Sequence, residues 1–158
     1  SRGGFRMSQN QKTIAENRKA RHEYELFDCF EAGLELKGTE IKSIRKGKVQ
    51  LKDSFVSFSN GEAYIKGMHI SPYEFGNRFN HDEVRDRKLL LHKNEIRKLY
   101  QSTRIKGYTV VPVRLYLNHG LAKMEIALAK GKNLHDKREA QKTKDAQREI
   151  QKALKNRY

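Results

Sequence analysis

The sequence predicts a mainly β protein: a closed or nearly closed β-barrel of about six strands, with two or three short helices and a basic C-terminal tail. Three observations predict this class. Short apolar runs with strand-like alternation recur between residues 24 and 129, and tight-turn residues such as Asn60-Gly61 separate them. Many short strands joined by tight turns are typical of a barrel. Large apolar residues become sparse after Ala129, where a cationic segment begins.

The N-terminal part is predicted to begin irregularly and then to enter the sheet. Residues 8–21 are polar and lack a helical or strand period, so we expect an irregular lead-in. Residues 24–30 carry apolar groups on both faces, as a well-covered strand does, and 33–36 make a short second strand. Cys29 falls in the first of these strands without a basic cluster beside it. We therefore expect it to be a small buried hydrophobe.

A short helix and a hairpin are predicted next. Thr39 has the side chain of a helix N-cap, and the spacing of Ile41 and Ile44 predicts about two turns of helix before Gly47. The alternating runs on either side of Asn60-Gly61 predict a β-hairpin. This pair readily adopts the positive φ angles of a two-residue turn, which makes the signal a strong one.

A strand, a helix and a long hairpin complete the domain. The apolar run 87–91 re-enters the sheet, and residues 93–106 show the clearest helical spacing in the chain. Two long alternating runs follow, at 108–117 and 121–128. Pro112 lies inside the first of them and cannot donate a ladder hydrogen bond, so it predicts an edge position or a bulge.

Charge and composition restrict the function. The 158 residues suffice for one ordinary domain, and 34 Lys and Arg against 19 Asp and Glu give a formal net charge of +15. Such a charge suits a polyanion, and nucleic acid is the first candidate. No apolar run approaches a membrane-spanning length, so we expect no membrane partner. The lack of an apolar signal peptide and the single cysteine indicate a cytoplasmic protein, which we expect to be a monomer.

The composition divides the chain into three parts. We interpret residues 1–11 as a tag or a disordered N-terminal arm, 12–129 as the β-barrel domain, and 130–158 as a basic C-terminal tail. The tail carries ten basic and four acidic residues, few large apolar ones, and high helix propensity. An isolated cationic helix is marginal in water. We therefore expect the tail to be disordered when free and to become helical on a polyanion.

Catalytic and cofactor chemistry is not indicated. The six histidines are scattered, none at a metal-ligand spacing with another His or Cys, and no glycine-rich phosphate loop is present. We expect no catalytic residues, no cofactor and no metal. Two alternatives to a dedicated RNA-binding protein remain. One is a general basic protein that coats nucleic acid, and the other is a metal-dependent nuclease that uses Asp28 with the Glu40-Ile41-Lys42 triplet.

Aromatic side chains interleave with basic ones along the chain. This combination suits RNA, because unpaired bases stack on aromatic rings. Most of these rings are expected to be core residues, and two in the polar loop of residues 74–86 are the expected exposed pair, Phe75 and Phe79. The candidates for stacking are Tyr24, Tyr64, Tyr73, Phe75, Phe79, Tyr100, Tyr108 and Tyr116.

Six blocks of sequence occur in order along the chain. They read NRKARHEY at 17–24, FEAG at 30–33, GTEIKS at 38–43, RKLLL at 87–91, GYTVV at 107–111, and AKGK at 129–132 with HDKR at 135–138. Over roughly residues 12–158 the chain thus resembles the small protein B family, bacterial proteins that bind transfer-messenger RNA. Each block alone is modest, but six in order at matching spacing are highly specific.

The resemblance implies a fold, a function and partners. The fold is an OB-fold-like closed β-barrel with accessory helices. The function is trans-translation, the rescue of ribosomes stalled on messages without a stop codon. The barrel grips the tRNA-like domain of transfer-messenger RNA, and the tail, helical on the ribosome, enters the empty decoding site and message channel of the small subunit. Elongation factor Tu and alanyl-tRNA synthetase act on the same RNA and are indirect partners.

The resemblance also implies site residues. Basic ones would neutralise phosphates, and Glu31 would accept hydrogen bonds from base or ribose groups. The RNA-gripping candidates are Asn17, Arg18, Lys19, Arg21, His22, Glu31 and Leu90. The ribosome-contacting candidates of the tail are Gly131, Lys132, His135, Asp136, Lys137, Arg138, Lys152 and Leu154.

Three positions depart from the family pattern. His92 stands where the family usually has Asn, and Asn133 where it usually has Lys. The pair Ala153-Leu154 replaces an Ile-Met pair. We expect His92 to change one specific hydrogen bond to RNA, and Ala153 to weaken an apolar anchor that Leu154 keeps.

Overall fold

The structure is a computed structural model, and it describes residues 11–76 and 80–132. Within these ranges the chain forms nine strands and three helices. The strands are β1 (Gln11–Glu16), β2 (Tyr24–Leu34), β3 (Val49–Gln50), β4 (Phe55–Ser59), β5 (Glu62–Lys66), β6 (His69–Ile70), β7 (Arg87–Leu90), β8 (Tyr108–Asn118) and β9 (Leu121–Gly131). The helices are α1 (Arg18–Glu23), α2 (Gly38–Arg45) and α3 (Lys93–Thr103).

Six strands close into a ring through antiparallel pairs. The order around the ring is β8, β4, β5, β7, β2 and β9, and β9 pairs again with β8. β1 joins β8 outside the ring, and β3 and β6 form a separate two-stranded sheet. The ring confirms the predicted mainly β class and the prediction of about six principal strands.

Two tight turns have the backbone geometry that their residues favour. Asn60 and Gly61 join β4 to β5 with φ angles of 53° and 76°, and His119 and Gly120 join β8 to β9 with 52° and 80°. Positive φ at both positions matches the twist of the flanking strands. The predicted bulge is also present, because the β8–β9 register shifts directly after Pro112.

One hydrophobic cluster joins the ring to α2 and α3. Its members come from alternating strand positions and from the inner faces of the two helices. Fully buried members include Ile44, Ile65, Leu89, Leu99, Leu115, Met124 and Ile126. Each such side chain contributes roughly 1.5–3 kcal/mol on burial. This core holds the strands whose outer faces carry the candidate site.

The N-terminal segment differs from the irregular lead-in that the sequence predicts for residues 8–21. Residues 11–16 form β1, which pairs antiparallel with β8, and α1 follows directly. An added strand is held by backbone hydrogen bonds, so its side chains can stay polar and show no period. The sequence did contain a signal for α1, because Asn17 is a residue type that favours the N-cap position and it precedes a helix-forming run.

β2 is one strand, whereas the sequence predicts two. It runs without a break to Leu34, and its register against β9 shifts between Leu26 and Cys29. Such a bulge changes which side chains point inward. Cys29 is exposed as a result, and the prediction that it is buried is wrong.

A buried ion cluster fastens α2 to β7. Glu40 and Arg87 are both fully buried, and Arg87 Nε donates to Glu40 Oε2 at 2.6 Å. Arg85 adds a second guanidinium to the same carboxylate. The Lys37 N–H donates to Glu40 Oε1 at 2.8 Å, so α2 begins after Lys37, and Thr39 is not its N-cap. The other Arg87 donors reach the carbonyls of Met68, Asp82 and Glu83.

Candidate nucleic-acid interface

α1 carries the first group of predicted RNA-contacting residues, and Asn17 holds this helix in place. Asn17 Oδ1 accepts a hydrogen bond from the Ala20 N–H at 3.2 Å, which caps the helix. Its Nδ2 donates to the Pro112 carbonyl at 2.9 Å, and its N–H donates to the Val113 carbonyl at 2.8 Å. The residue is only 4% exposed. The sequence predicts Asn17 as an RNA contact, but this geometry gives it the role of joining α1 to β8.

The exposed face of α1 is cationic. Arg18, Lys19, Arg21 and His22 are all exposed. Lys19 Nζ donates to Asp53 Oδ1 at 2.6 Å, and this hydrogen bond raises the pKa of Lys19. Exposed ion pairs are weak, so an RNA phosphate can take the place of Asp53. α1 therefore offers a cluster of side chains that suits a phosphate backbone.

The second group of predicted residues lines a groove of about 390 Å³ beside β7. Glu31 and Leu90 both lie in it, together with His92, Lys88 and Lys123. We call it the Glu31–Leu90 groove. Leu90 is 51% exposed, and it sits among charged side chains. Glu62 and Glu95 line it as well, and Lys88 is paired with Glu62 at 3.1 Å. The groove therefore combines an apolar contact with three carboxylates and two cations, a mixture that can read a base or ribose edge.

Gly33 explains how Leu90 is placed at the surface. The two residues are directly opposite in the β2–β7 pair. A Cβ atom on Gly33 would lie 3.2 Å from the Leu90 Cβ, which is closer than ordinary packing distance. The missing side chain therefore lets Leu90 pack directly over the β2 backbone.

A hydrogen-bond array orients Glu31 from inside the protein. Tyr116 is 1% exposed and donates its hydroxyl to Glu31 Oε2. Arg114 lies over the Tyr116 ring, 4.0 Å from Cζ to the centroid, and its Nε donates to Glu125 Oε1 at 3.0 Å. Glu31 and Glu125 are direct cross-strand neighbours, and two carboxylates so placed repel each other without such partners. Burial and the bond to Glu31 raise the pKa of Tyr116, so its hydroxyl stays a donor at neutral pH.

Sequence reasoning missed three residues of this arrangement. It did not identify Tyr116 as the support of Glu31, nor Lys88 and Lys123 as cations of the groove. One signal was available, because a two-residue turn at His119-Gly120 fixes the hairpin register and places Lys123 opposite Tyr116. The pairing of β2 with β9 leaves no comparable local signal.

Exposure separates the aromatic residues that the sequence predicts as stacking candidates. Tyr108 and Tyr116 are buried in the described structure and cannot meet a base. Phe75 and Tyr100 are 68% and 45% exposed. Phe79 lies outside the described residues. Phe75 and Tyr100 are thus the most exposed of the described candidates.

The two groups of predicted RNA-contacting residues lie at different points along β2. α1 leads directly into Tyr24, and Glu31 follows seven residues later. Seven residues of extended chain span about 23 Å. The arrangement therefore offers two contact areas, which suits a large folded ligand and not a small molecule.

The beginning of the predicted tail belongs to the folded part. Gly131 is the last residue of β9 and lies opposite Tyr24, and the Lys132 N–H donates to the Glu23 carbonyl at 2.8 Å. Both residues therefore stand beside α1. The remaining tail candidates lie outside the described residues: His135, Asp136, Lys137, Arg138, Lys152 and Leu154.

The surroundings of Glu40 bear on the nuclease alternative. That chemistry needs Glu40 and Asp28 on a shared divalent metal. Glu40 is fully buried and bonded to two guanidinium groups, whereas Asp28 is exposed on β2. Among residues 11–76 and 80–132, no three acidic, His or Cys side chains gather as metal ligands. No helix in the same ranges is long and apolar enough to cross a membrane.

Comparisons with known proteins match most of the chain. The family model described as SmpB protein matches residues 14–156. The SsrA-binding protein of Staphylococcus carnosus is 58% identical over 146 residues, which covers 92% of this chain and 94% of that protein. The SsrA-binding protein of Carboxydothermus hydrogenoformans is 57% identical over 148 residues, covering 94% and 99%. A solved structure described as "tmRNA-SmpB: a journey to the center of the bacterial ribosome" is similar at TM-score 0.66 and 49% identity, covering 78% of this chain and 87% of that one.

Proposed function

The chain belongs to the SmpB protein family, and on this premise we propose that it binds transfer-messenger RNA and delivers it to stalled ribosomes for trans-translation. The single observation that carries the proposal is how much of the chain the family model matches. Residues 14–156 include α1, the Glu31–Leu90 groove and the basic tail together. The protein acts in the cytoplasm without catalysis of its own. It meets elongation factor Tu and alanyl-tRNA synthetase through the RNA that they share.

The two contact areas divide the work of holding the tRNA-like domain. The exposed cations of α1 neutralise phosphates, which supplies affinity without reading sequence. In the Glu31–Leu90 groove, Glu31 accepts hydrogen bonds from base or ribose groups, and Leu90 makes an apolar contact. Tyr116 holds the Glu31 carboxylate ready, which lowers the cost of ordering it on binding. Asn17 contributes indirectly, because it seats α1 on β8.

The tail is proposed to contact the small ribosomal subunit. Its ten basic residues between 130 and 158 suit ribosomal RNA, and neutralisation of their charges by phosphates permits a helix that is marginal alone. Gly131 and Lys132 stand at the end of β9 beside α1, so the tail begins next to the proposed phosphate contacts. Binding of the RNA and contact with the decoding centre are thus assigned to different parts of one chain.

A competition assay tests the RNA-binding half of the proposal. The labelled tRNA-like domain is bound at near-physiological salt and challenged with unlabelled duplex RNA. We expect the protein to prefer the tRNA-like RNA and Leu90→Ala to weaken this preference. Leu121→Ala is the matched control, since Leu121 is 62% exposed and lies outside the groove. Equal competition by bulk duplex would instead support a general protein that coats nucleic acid.

A reconstituted tagging reaction on stalled ribosomes tests the tail. A chain that ends at Lys132 keeps the described contacts of α1 and of the groove. We expect it to bind the RNA as the full chain does and to fail in tagging. Ala146→Pro breaks a helix at that point and should separate binding from tagging in the same way. Normal tagging by Ala146→Pro would show that the tail does not act as a helix.

A further inference from the structure

α3 carries a cationic stripe that the proposed function does not use. Lys93, Arg97, Tyr100 and Arg104 follow one another at spacings of four, three and four residues, which places them on one face of the helix. All four are exposed, whereas Ile96 beside the stripe and Leu99 on the far side of the helix are buried. At 1.5 Å per residue the stripe is about 17 Å long.

A groove of about 530 Å³ lies between this stripe and the tip of the β4–β5 hairpin. We call it the α3 groove. Phe58 and Ile96 supply apolar lining, and the hairpin residues 59–62 supply polar lining. The Tyr100 ring packs edge-on against Phe58, with 6.1 Å between centroids, and is still 45% exposed. The groove thus presents an aromatic ring beside cations in a concave setting.

The charges of the α3 groove favour an anion. Within the described ranges, its two basic residues Lys93 and Arg97 form no ion pair with an acidic side chain. Glu62 lines the groove, but its carboxylate is paired with Lys88 at 3.1 Å. Lys93 stands in the first turn of α3, where the helix dipole disfavours a cation. Helix stability therefore does not account for Lys93.

The α3 groove adjoins the Glu31–Leu90 groove. Glu62 lines both of them, and His92, which precedes α3 as its N-cap residue, lines the Glu31–Leu90 groove. An RNA strand that leaves the Glu31–Leu90 groove at this edge is therefore close to the beginning of the stripe.

We propose that the α3 groove binds unpaired nucleotides of the RNA held in the Glu31–Leu90 groove, with a base stacked on the exposed part of Tyr100 and phosphates on Lys93 and Arg97. Arg104 lies over the Tyr100 ring, 5.9 Å from Cζ to the centroid, and adds a cation beside the stacking position. The proposal rests on the proposed function. Aromatic rings flanked by cations are the usual platform for single-stranded RNA, because every base has a face that stacks. An acidic peptide would use the cations but has no comparable use for the exposed ring.

Binding of a single-stranded oligouridylate tests the groove directly. The double variant Lys93→Gln, Arg97→Gln removes two cations and should lower the slope of log affinity against log salt by about 1.4. The control Lys48→Gln, Lys52→Gln removes the same charge from exposed residues outside both grooves and should leave the slope unchanged. Tyr100→Ala should weaken binding by about 5- to 150-fold, the loss of one stacked base, and Tyr100→Phe should restore it.

Photocrosslinking of wild-type protein gives a second readout that does not depend on variant folding. Trypsin cuts after Lys98 and Arg104, so 4-thiouridine RNA stacked on Tyr100 should label the peptide of residues 99–104. An unlabelled peptide, an unchanged salt slope, or tighter binding of oligoglutamate than of oligouridylate would overturn the proposal. If any of these three outcomes is found while Leu90→Ala still weakens binding of the tRNA-like RNA, the role of the α3 groove is refuted and the proposed function stands.

Discussion

The Glu40→Gln substitution tests how far the fold depends on its buried ion cluster. The change removes the negative charge that faces Arg87, while the amide keeps nearly the same shape. Arg87 is fully buried, and its other donors reach backbone carbonyls, so its charge is left uncompensated. Arg85 is 27% exposed and can turn toward water. Removing one partner of a buried ion pair costs about 3–5 kcal/mol, and we expect that loss in the free energy of unfolding.

Thermal unfolding followed by circular dichroism measures the effect. For a protein of this size about 1 kcal/mol moves the midpoint by roughly 2–4 °C, so the midpoint should fall by roughly 6–20 °C. Glu74→Gln is the matched control, because it removes the same charge from an exposed pair with Lys46. Its midpoint should move by less than about 4 °C. Equal shifts of the midpoint in the two variants would refute the argument that burial makes the Glu40 cluster more important for stability than an exposed ion pair.

The same cluster makes stability depend on pH. Burial alone would raise the pKa of Glu40, but hydrogen bonds from Arg85, the Lys37 backbone and Arg87 outweigh it and lower that pKa below its ordinary value of 4.5. A carboxyl with a lower pKa in the folded chain contributes stability that is present above its unfolded pKa and lost as pH falls through its folded pKa. The gap in unfolding free energy between wild type and Glu40→Gln should therefore shrink below pH 4.5. A constant gap down to about pH 3 would contradict this.

Three further predictions concern RNA binding. Tyr116→Phe should weaken binding of the tRNA-like RNA. Its effect should not add to that of Glu31→Gln, because both substitutions act on the same carboxylate. Strictly additive losses in a double-mutant cycle would exclude a role of the tyrosine through that carboxylate. Arg18→Gln with Arg21→Gln should lower the salt slope of RNA binding by about 1.4–1.8, and an unchanged slope would remove α1 from the phosphate contacts. Gly33→Ala should displace the leucine opposite it on β7 and weaken RNA binding, while thermal stability changes little. Unaltered affinity would show that RNA binding does not depend on the position of this leucine.

The parts of the fold that could be predicted are those whose chemistry is local. Asn60-Gly61 marked its hairpin and Pro112 its bulge, because each residue type restricts its own backbone. β1 was missed because its pairing with β8 lies about a hundred residues away and leaves no side-chain period. A glutamate in a short helix suggests an exposed side chain, and the burial of Glu40 follows from an arginine 47 residues later in the chain. The support of Glu31 by Tyr116 depends in the same way on the register of separate strands.

On the proposed function, the bonds between Asn17 and β8 also set the point during synthesis at which the α1 contact area for RNA is complete. Its Nδ2 bond to the Pro112 carbonyl joins positions 95 residues apart. During synthesis α1 emerges long before β8 exists, and contacts so distant in sequence form late. A nascent chain that stops short of Val113 already carries the cations of α1, but nothing yet seats them in a fixed array. Affinity for structured RNA should therefore arise abruptly, once the β8–β9 hairpin closes, so that unfinished copies do not compete with complete ones for the RNA.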